Sequence, residues 1–308
     1  MPNGLPLPRA RVTHTLRVRL SMEAMLVKFT WRFGWRSKPP VAVEKKRPPL
    51  ALVLGGGSVR AAAHVGVLSV LEREGIRPDI VVGTSGGAIV GACVAAGVPM
   101  SEVYEYFKSA RWKDLARPSW GSRLSMLETD PLGALLERVV QARDFGQLGL
   151  SFAAVATDVL TGTTYTFTEG SLREALVASS AIPGLLEPVR RDGRLLVDGG
   201  VTDNLPIDVA CDLGAGRIVA VDIMPLPDGT FEPQSVRDML LLSWSIIERP
   251  TVAQLARADL VITPDLARAT FSEFSQVEAI HQTGVQAAEK ALPELRSILG
   301  MKAPTGST

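Results

Sequence analysis

Ser85 stands in Gly83-Thr84-Ser85-Gly86-Gly87, after the apolar run Ile80-Val81-Val82 and before an Ala/Val/Gly-rich stretch from about Ala88 to Ala96. A buried strand that turns sharply into a helix lifts a serine hydroxyl clear of the backbone. Glycines flank it because side chains there would collide. The helix aims the positive end of its dipole at the same point, which suits a developing negative charge. Such a mount serves nucleophilic attack; the plain alternative is a tight strand-to-helix turn holding a small polar residue.

Upstream, Gly55-Gly56-Gly57-Ser58-Val59-Arg60 follows the strand-like Leu50–Leu54 and leads into a helical pattern over Ala61–Leu71. Bare amides between a strand and a helix form a nest for an anion, either a phosphate or the oxyanion of acyl transfer. The Lys-Ser/Thr ending of a phosphate-binding Walker loop is absent. A dinucleotide Gly-x-Gly-x-x-Gly pattern fails at Arg60 or Ala61, depending on which glycine starts the count. The oxyanion reading fits better. Downstream, Leu195-Leu196-Val197 delivers Asp198 to a Gly199-Gly200 turn, where a carboxylate can face a cleft; by itself that is an ordinary turn.

Together, and in this order, the three segments resemble the bacterial branch of the patatin-like phospholipases. Ala156-Thr157-Asp158-Val159-Leu160-Thr161-Gly162, Ala178-Ser179-Ser180-Ala181-Ile182-Pro183-Gly184 and Asp203-Asn204-Leu205-Pro206 extend the resemblance over roughly residues 48–290. It implies a three-layer α/β/α sandwich with a mostly parallel central sheet. It also implies an oxyanion loop at Gly55, Gly56, Gly57, Ser58 and Arg60, a nucleophile at Ser85, and a Ser–Asp dyad completed by Asp198. Gly83 and Gly87 would then shape the nucleophile turn, and Gly199 and Gly200 the aspartate loop. Ser58 and Ala61 stand where the family usually carries glycine. Ser58 still supplies an amide, but its side chain can narrow the hole or alter its backbone angles. The implied activity is hydrolysis of lipid carboxylic esters, phospholipase A- or lysophospholipase-like, with no cofactor and no metal. A non-catalytic lipid-binding or regulatory family member is the alternative.

Serine needs a base. Of the three histidines, His14 lies in the N-terminal segment. His64 follows Arg60 on the helix behind the glycine loop, where a packing or capping role is expected. His281 lies in a C-terminal helical stretch and keeps open a Ser85–Asp198–His281 triad in α/β-hydrolase chain order. In a dyad Asp198 acts alone, provided burial raises its basicity. Arg60 is either a surface cation at a helix start or, as the resemblance implies, a group that orients the loop or neutralises the oxyanion. Asp158 and Asp203 are expected to bond within their own loops.

The elements behind these residues alternate. Strand-like segments at Leu50–Leu54, Ile80–Val82, Leu150–Thr157, Thr164–Thr168, Leu195–Val197, Arg217–Ile223 and Leu260–Thr263 are separated by helical patterns. This predicts a largely parallel sheet covered on both faces, with ligands beyond the strands' carboxyl ends. At 308 residues and 46% hydrophobic content the chain can bury one large core. Cys93 and Cys211 are read as free thiols in a reducing compartment. Aromatics between Pro99 and Gly149 (Tyr104, Tyr106, Phe107, Trp112, Trp120) and the apolar Phe231–Trp244 stretch could line an acyl channel, although helical core is the favoured role.

Charge is uneven. Residues 1–48 carry 11 Lys/Arg against 2 Glu, while the remainder is net negative. We divide the chain into a basic extension over 1–47, a hydrolase domain over 48–300 and a tail over 301–308. Trp and Phe mixed with Lys and Arg in Met25–Arg36 suit an anionic membrane surface; a disordered tail or a misassigned start codon are the alternatives. No leader is read here, since a continuous apolar stretch and cleavage site are missing. The expectation is a cytoplasmic protein able to sit at the inner membrane surface, with a lipid ester as substrate. No nucleic acid is expected, because no folded reader accompanies the basic segment.

Overall fold

The computed structural model describes residues 47–224, 232–267, 269 and 273–301; the basic extension therefore lies outside the described residues, except for Arg47, whose guanidinium pairs with Asp79. In chain order the elements are β1 (Leu50–Leu54), α1 (Ala62–Arg73), β2 (Ile80–Thr84), α2 (Gly86–Ala96), α3 (Met100–Ser109), α4 (Trp112–Leu115), β3 (Arg117–Pro118), β4 (Ser125–Glu128) and α5 (Asp130–Val140). There follow β5 (Ser151–Asp158), β6 (Thr163–Phe167), α6 (Leu172–Ser179), β7 (Gly184–Leu186), β8 (Val189–Arg191), β9 (Arg194–Asp198), α7 (Ile207–Asp212) and β10 (Arg217–Val221). The last are α8 (Val236–Ile247), α9 (Val252–Leu255), β11 (Leu260–Ile262) and α10 (Val277–Leu299).

The main sheet has the order β11-β10-β1-β2-β5-β9-β8, with β6 on the end of β5. Strands β11, β10, β1, β2 and β5 run parallel; β9, β6 and β8 are antiparallel to their neighbours. Strand β1 is apolar throughout because helices cover both of its faces. Its alternation divides two cores: Leu50, Leu52 and Leu54 face one cluster, while Ala51 and Val53 face Leu205, Ile207 and Ala210 in the other. On the larger side α1 and α10 cross with backbones nearly touching. A Cβ on Gly66 would lie 2.9 Å from the Val285 nitrogen, and one on Gly284 would lie 2.8 Å from the Ala63 carbonyl carbon.

The seven anticipated strands all form, within two residues at each end. A second sheet, β3-β4-β7, was not anticipated, since segments this short carry no alternation to read. Helix α8 corrects the core reading of Phe231–Trp244: Met239 and Leu240 are exposed, and neither lines a cavity beside Ser85. Apolar content alone does not say which residues of a helix are covered. Phe231 lies outside the described residues.

Candidate active site

Ser85 occupies the turn between β2 and α2 at φ 54°, ψ −123°, a sparsely populated backbone region for a residue with a side chain. Its N–H donates to Ser179 Oγ at 2.8 Å, and that hydroxyl donates to the Val155 carbonyl at 2.6 Å. The glycines permit the close fit. A Cβ on Gly83 would meet the Ala88 nitrogen at 2.6 Å. One on Gly87 would stand 2.5 Å from the Gly55 carbonyl oxygen and nearer still to that of Leu54. Helix α2 thereby packs its first turn onto the ends of β1 and β2.

Asp198 ends β9. Strand β5 lies between β2 and β9, pairing Thr84 with Val155 and Ala156 with Asp198, so Asp198 and Ser85 reach the same edge one strand apart. Gly199 makes this possible, since a Cβ there would lie 2.8 Å from the Val155 carbonyl carbon and 2.9 Å from Thr84 Cγ2. The carboxylate is 1% exposed. Its Oδ1 accepts from the Gly200 N–H at 2.9 Å. Burial pushes its pKa up to about 7, against the opposing pull of the Gly200 amide and the Ser85 hydroxyl. A carboxylate so placed can accept a proton near neutral pH.

The glycine loop follows β1, and its four amides are not equivalent. Gly55 N–H donates to the Val221 carbonyl at 3.2 Å, and Gly56 N–H donates to Asn204 Oδ1 at 2.9 Å. The Gly57 and Ser58 amides have no protein acceptor among the described residues. Of the amides in the expected oxyanion loop, those of Gly55 and Gly56 are therefore engaged within the protein, leaving those of Gly57 and Ser58. Gly57 has φ 158° and Ser58 has φ 52°, so Ser58 keeps the left-handed backbone of a glycine despite its side chain. Ala61 is completely buried, close enough to Gly86 that a Cβ there would lie 2.7 Å from its methyl group.

Two side chains hold the loop from behind. His64 is fully buried, its Nε2 2.7 Å from the Gly55 carbonyl oxygen. Burial pulls its pKa down to about 4, so the neutral ring donates. Arg60 is not a surface cation. It is 9% exposed, and its Nε and Nη2 each donate to the Ala269 carbonyl at 3.2 Å. Burial lowers its pKa to about 10.

The remaining candidates lie apart from this pair. His281 stacks on Tyr104 at 4.1 Å between ring centroids, and among the described residues it hydrogen-bonds neither Ser85 nor Asp198. Asp158 accepts from the Leu160 amide in its own loop and also from Arg194 across the sheet, whereas Asp203 accepts from Gln254 in α9, so the expectation of purely local bonding holds only in part. Beside Ser85 opens a cavity of about 140 Å³ walled by Ile89, Tyr106, Phe107, Leu132 and Leu136, with Ser58 and Ser180 among its few polar members. Trp120 stands 95% exposed, away from it. A larger cleft of about 400 Å³, around Ile76 and Gly149, holds no nucleophile. Sequence reasoning missed three residues: Asn204's role as a side-chain acceptor, Ser179, and Glu248, which is 2% exposed against Gly200. For Ser179 and Asn204 the neighbouring motif was the available signal; Glu248 had none.

The fold thus brings together a serine on a strained strand-to-helix turn, a buried carboxylate and two amides with no protein acceptor among the described residues, an arrangement of the α/β serine-site type. Residues 52–211 match the patatin-like phospholipase family, and the chain belongs to that family. It is 35% identical over 190 residues to mouse patatin-like phospholipase domain-containing protein 6, covering 56% of this chain and 13% of that protein. It is 36% identical over 179 residues to an uncharacterized NTE family protein of Mycobacterium bovis, covering 57% and 49%. A second mycobacterial NTE family protein is 30% identical over 273 residues, covering 79% and 46%. The chain thus spans about half or less of the length of each of these relatives. Among solved structures, VipD from Legionella pneumophila superposes with a TM-score of 0.48 at 14% identity, over 80% of this chain and 67% of that one.

Proposed function

We propose that this protein is a serine acyl hydrolase that cleaves carboxylic esters of lipids by a Ser85–Asp198 dyad. The observation that carries this reading is the placement of the buried Asp198, its pKa pushed up to about 7, one strand from Ser85, while His281 stacks on Tyr104. Ser85 Oγ attacks the ester carbonyl carbon as its proton passes to Asp198. The resulting oxyanion is held by the Gly57 and Ser58 amides. Collapse of the tetrahedral intermediate expels the alcohol, which takes the proton back from Asp198. Water, deprotonated by the same carboxylate, then attacks the acyl-serine and releases the acid.

The apolar cavity beside Ser85 suits an acyl chain, and the phospholipase in the name of a relative agrees with a phospholipid ester; a lysophospholipid ester would fit the same chemistry. The glycine-like backbone at Ser58 favours a working oxyanion hole over a non-catalytic adaptor. Among the described residues no helix is long and apolar enough to cross a membrane. Residues 1–47 would supply peripheral contact with an anionic bilayer; unchanged vesicle binding after deleting residues 1–45 would end that part of the reading.

The decisive test is fluorophosphonate labelling with the adduct mapped, beside phospholipid turnover by variants. Label on Ser85 is expected. Loss of about 10³-fold or more is expected in Ser85→Ala and Asp198→Asn, with activity retained in His281→Ala. Equal residual rates in all three would overturn the dyad.

A further inference from the structure

Glu248 follows α8 directly and is the second carboxyl group of the site. It is 2% exposed, and its Oε2 has no hydrogen-bond partner among the described residues. Its side chain lies on the aspartate turn: a Cβ on Gly200 would fall 3.0 Å from Glu248 Cγ and Cδ. Gly200 is the residue whose amide holds Asp198 Oδ1, so Glu248 packs against the support of the proposed base.

Burial and one neighbour oppose a carboxylate there, and together they outweigh two groups that favour it. Asp198, from the end of β9, is a like charge. Arg60, from the 3-10 turn at Ser58–Ala61, acts on Glu248 through space, and the Trp244 indole approaches from α8; both favour the charged form but are outweighed. Arg249, the next residue, acts on Arg60 and on the buried Asp222. No ion pair joins Glu248 to a cation among the described residues. Burial, followed by the Asp198 charge, holds the Glu248 pKa well above the usual carboxylate range.

Resting on the dyad reading, we propose that Glu248 is a positioning residue that works as a neutral carboxylic acid, propping the Gly199–Gly200 turn while leaving Asp198 the single negative charge of the pair. Ionising Glu248 would set a second negative charge beside Asp198 and oppose formation of the oxyanion. The pair then loses its protons in two coupled steps, and activity belongs to the singly ionised form.

Glu248→Gln tests this, because an amide keeps the shape and cannot ionise. With a water-soluble monomeric ester, wild-type kcat/KM should rise with pH through about 7 as Asp198 ionises and fall on the alkaline side. Glu248→Gln should stay within about threefold at the optimum, keep the acid limb, and lose the alkaline fall. An acid limb moved down by a pH unit or more would mean that Glu248 is charged in the working enzyme; an unchanged alkaline fall would exclude it as the second group. Either result overturns the proposal.

A second readout needs no turnover. A carboxyl with a raised folded pKa makes the native state retain a proton that the unfolded chain releases. Its stability contribution is therefore full below about pH 4.5 and is lost as pH rises toward the folded value. In the Ser85→Ala background the melting temperature should fall less steeply above pH 4.5 with Glu248→Gln than with Glu248. Identical slopes would overturn the proposal even if no ester substrate were found, whereas absent turnover with differing slopes would count against the hydrolase reading alone. Should Glu248→Gln not fold, Glu248→Met takes its place; failure of both neutral side chains to fold would also overturn it.

Discussion

Two strand-to-helix turns meet at the site, and they are held in different ways. The turn after β2 is held mainly by backbone contact: Gly83 and Gly87 let α2 rest on the ends of β1 and β2, with no space for a methyl group. The turn after β1 is held by polar side chains, with His64 on the Gly55 carbonyl, Asn204 on the Gly56 amide and Arg60 on the Ala269 carbonyl. A turn held by close contact cannot vary in residue type. A turn held by hydrogen bonds can, and it accommodates side chains at Ser58 and Ala61. Each turn places one serine at positive φ, Ser58 in the first and Ser85 in the second.

Gly87→Ala should break the contrast most severely. Its Cβ would overlap two backbone carbonyls that cannot withdraw, a loss of about 3 kcal/mol or more read by denaturant unfolding. Equal tolerance of alanine at Gly87 and at Gly97, where a Cβ meets nothing but φ is 78°, would abolish the distinction.

His64 should produce the next largest effect, and it depends on pH. Its folded pKa is depressed to about 4 from 6.5, so the unfolded chain takes up a proton that the native state refuses. The associated stability is present above pH 6.5 and lost as pH falls toward 4, by about 3 kcal/mol. A pH series of unfolding midpoints should show this slope in wild type and lose it in His64→Gln.

Asn204→Ala should cost less, about 1–2 kcal/mol, because the Gly56 amide loses its side-chain acceptor but keeps the Asn204 carbonyl at 3.3 Å. Ester turnover should fall about tenfold as the adjoining amides lose alignment; an unchanged rate would remove Asn204 from the support of the loop. The smallest change belongs to Ser58→Gly. Relief of a left-handed backbone should add about 1 kcal/mol and raise the melting temperature by a few degrees, with turnover within about threefold of wild type.

Much of this arrangement is legible in the chain, and the reason is local. A β strand buried on both faces must be apolar, so Leu50–Leu54, Ile80–Val82 and the apolar run within Arg217–Ile223 stand out. A sharp turn needs glycine, so the spacing of Gly83, Ser85 and Gly87 carries the geometry of the turn. Arg60 shows where local reading stops. Its position near a helix start is equally that of a surface cation, and only the approach of residues about 209 positions away buries it. The short sheet β3-β4-β7 was beyond reading for a similar reason, since strands of two to four residues carry too little periodicity.

The sequence by itself determined the turns and the residue types at their tips, because backbone sterics and burial act over a few neighbouring positions. Only the tertiary structure decided which amides remain open, that His281 stacks on Tyr104, and that Glu248 lies against the turn holding Asp198. Those outcomes depend on pairings between distant segments, such as Gly56 with Asn204 across 148 residues, and a buried polar atom's partner is set by what the fold brings beside it rather than by what precedes it in the chain.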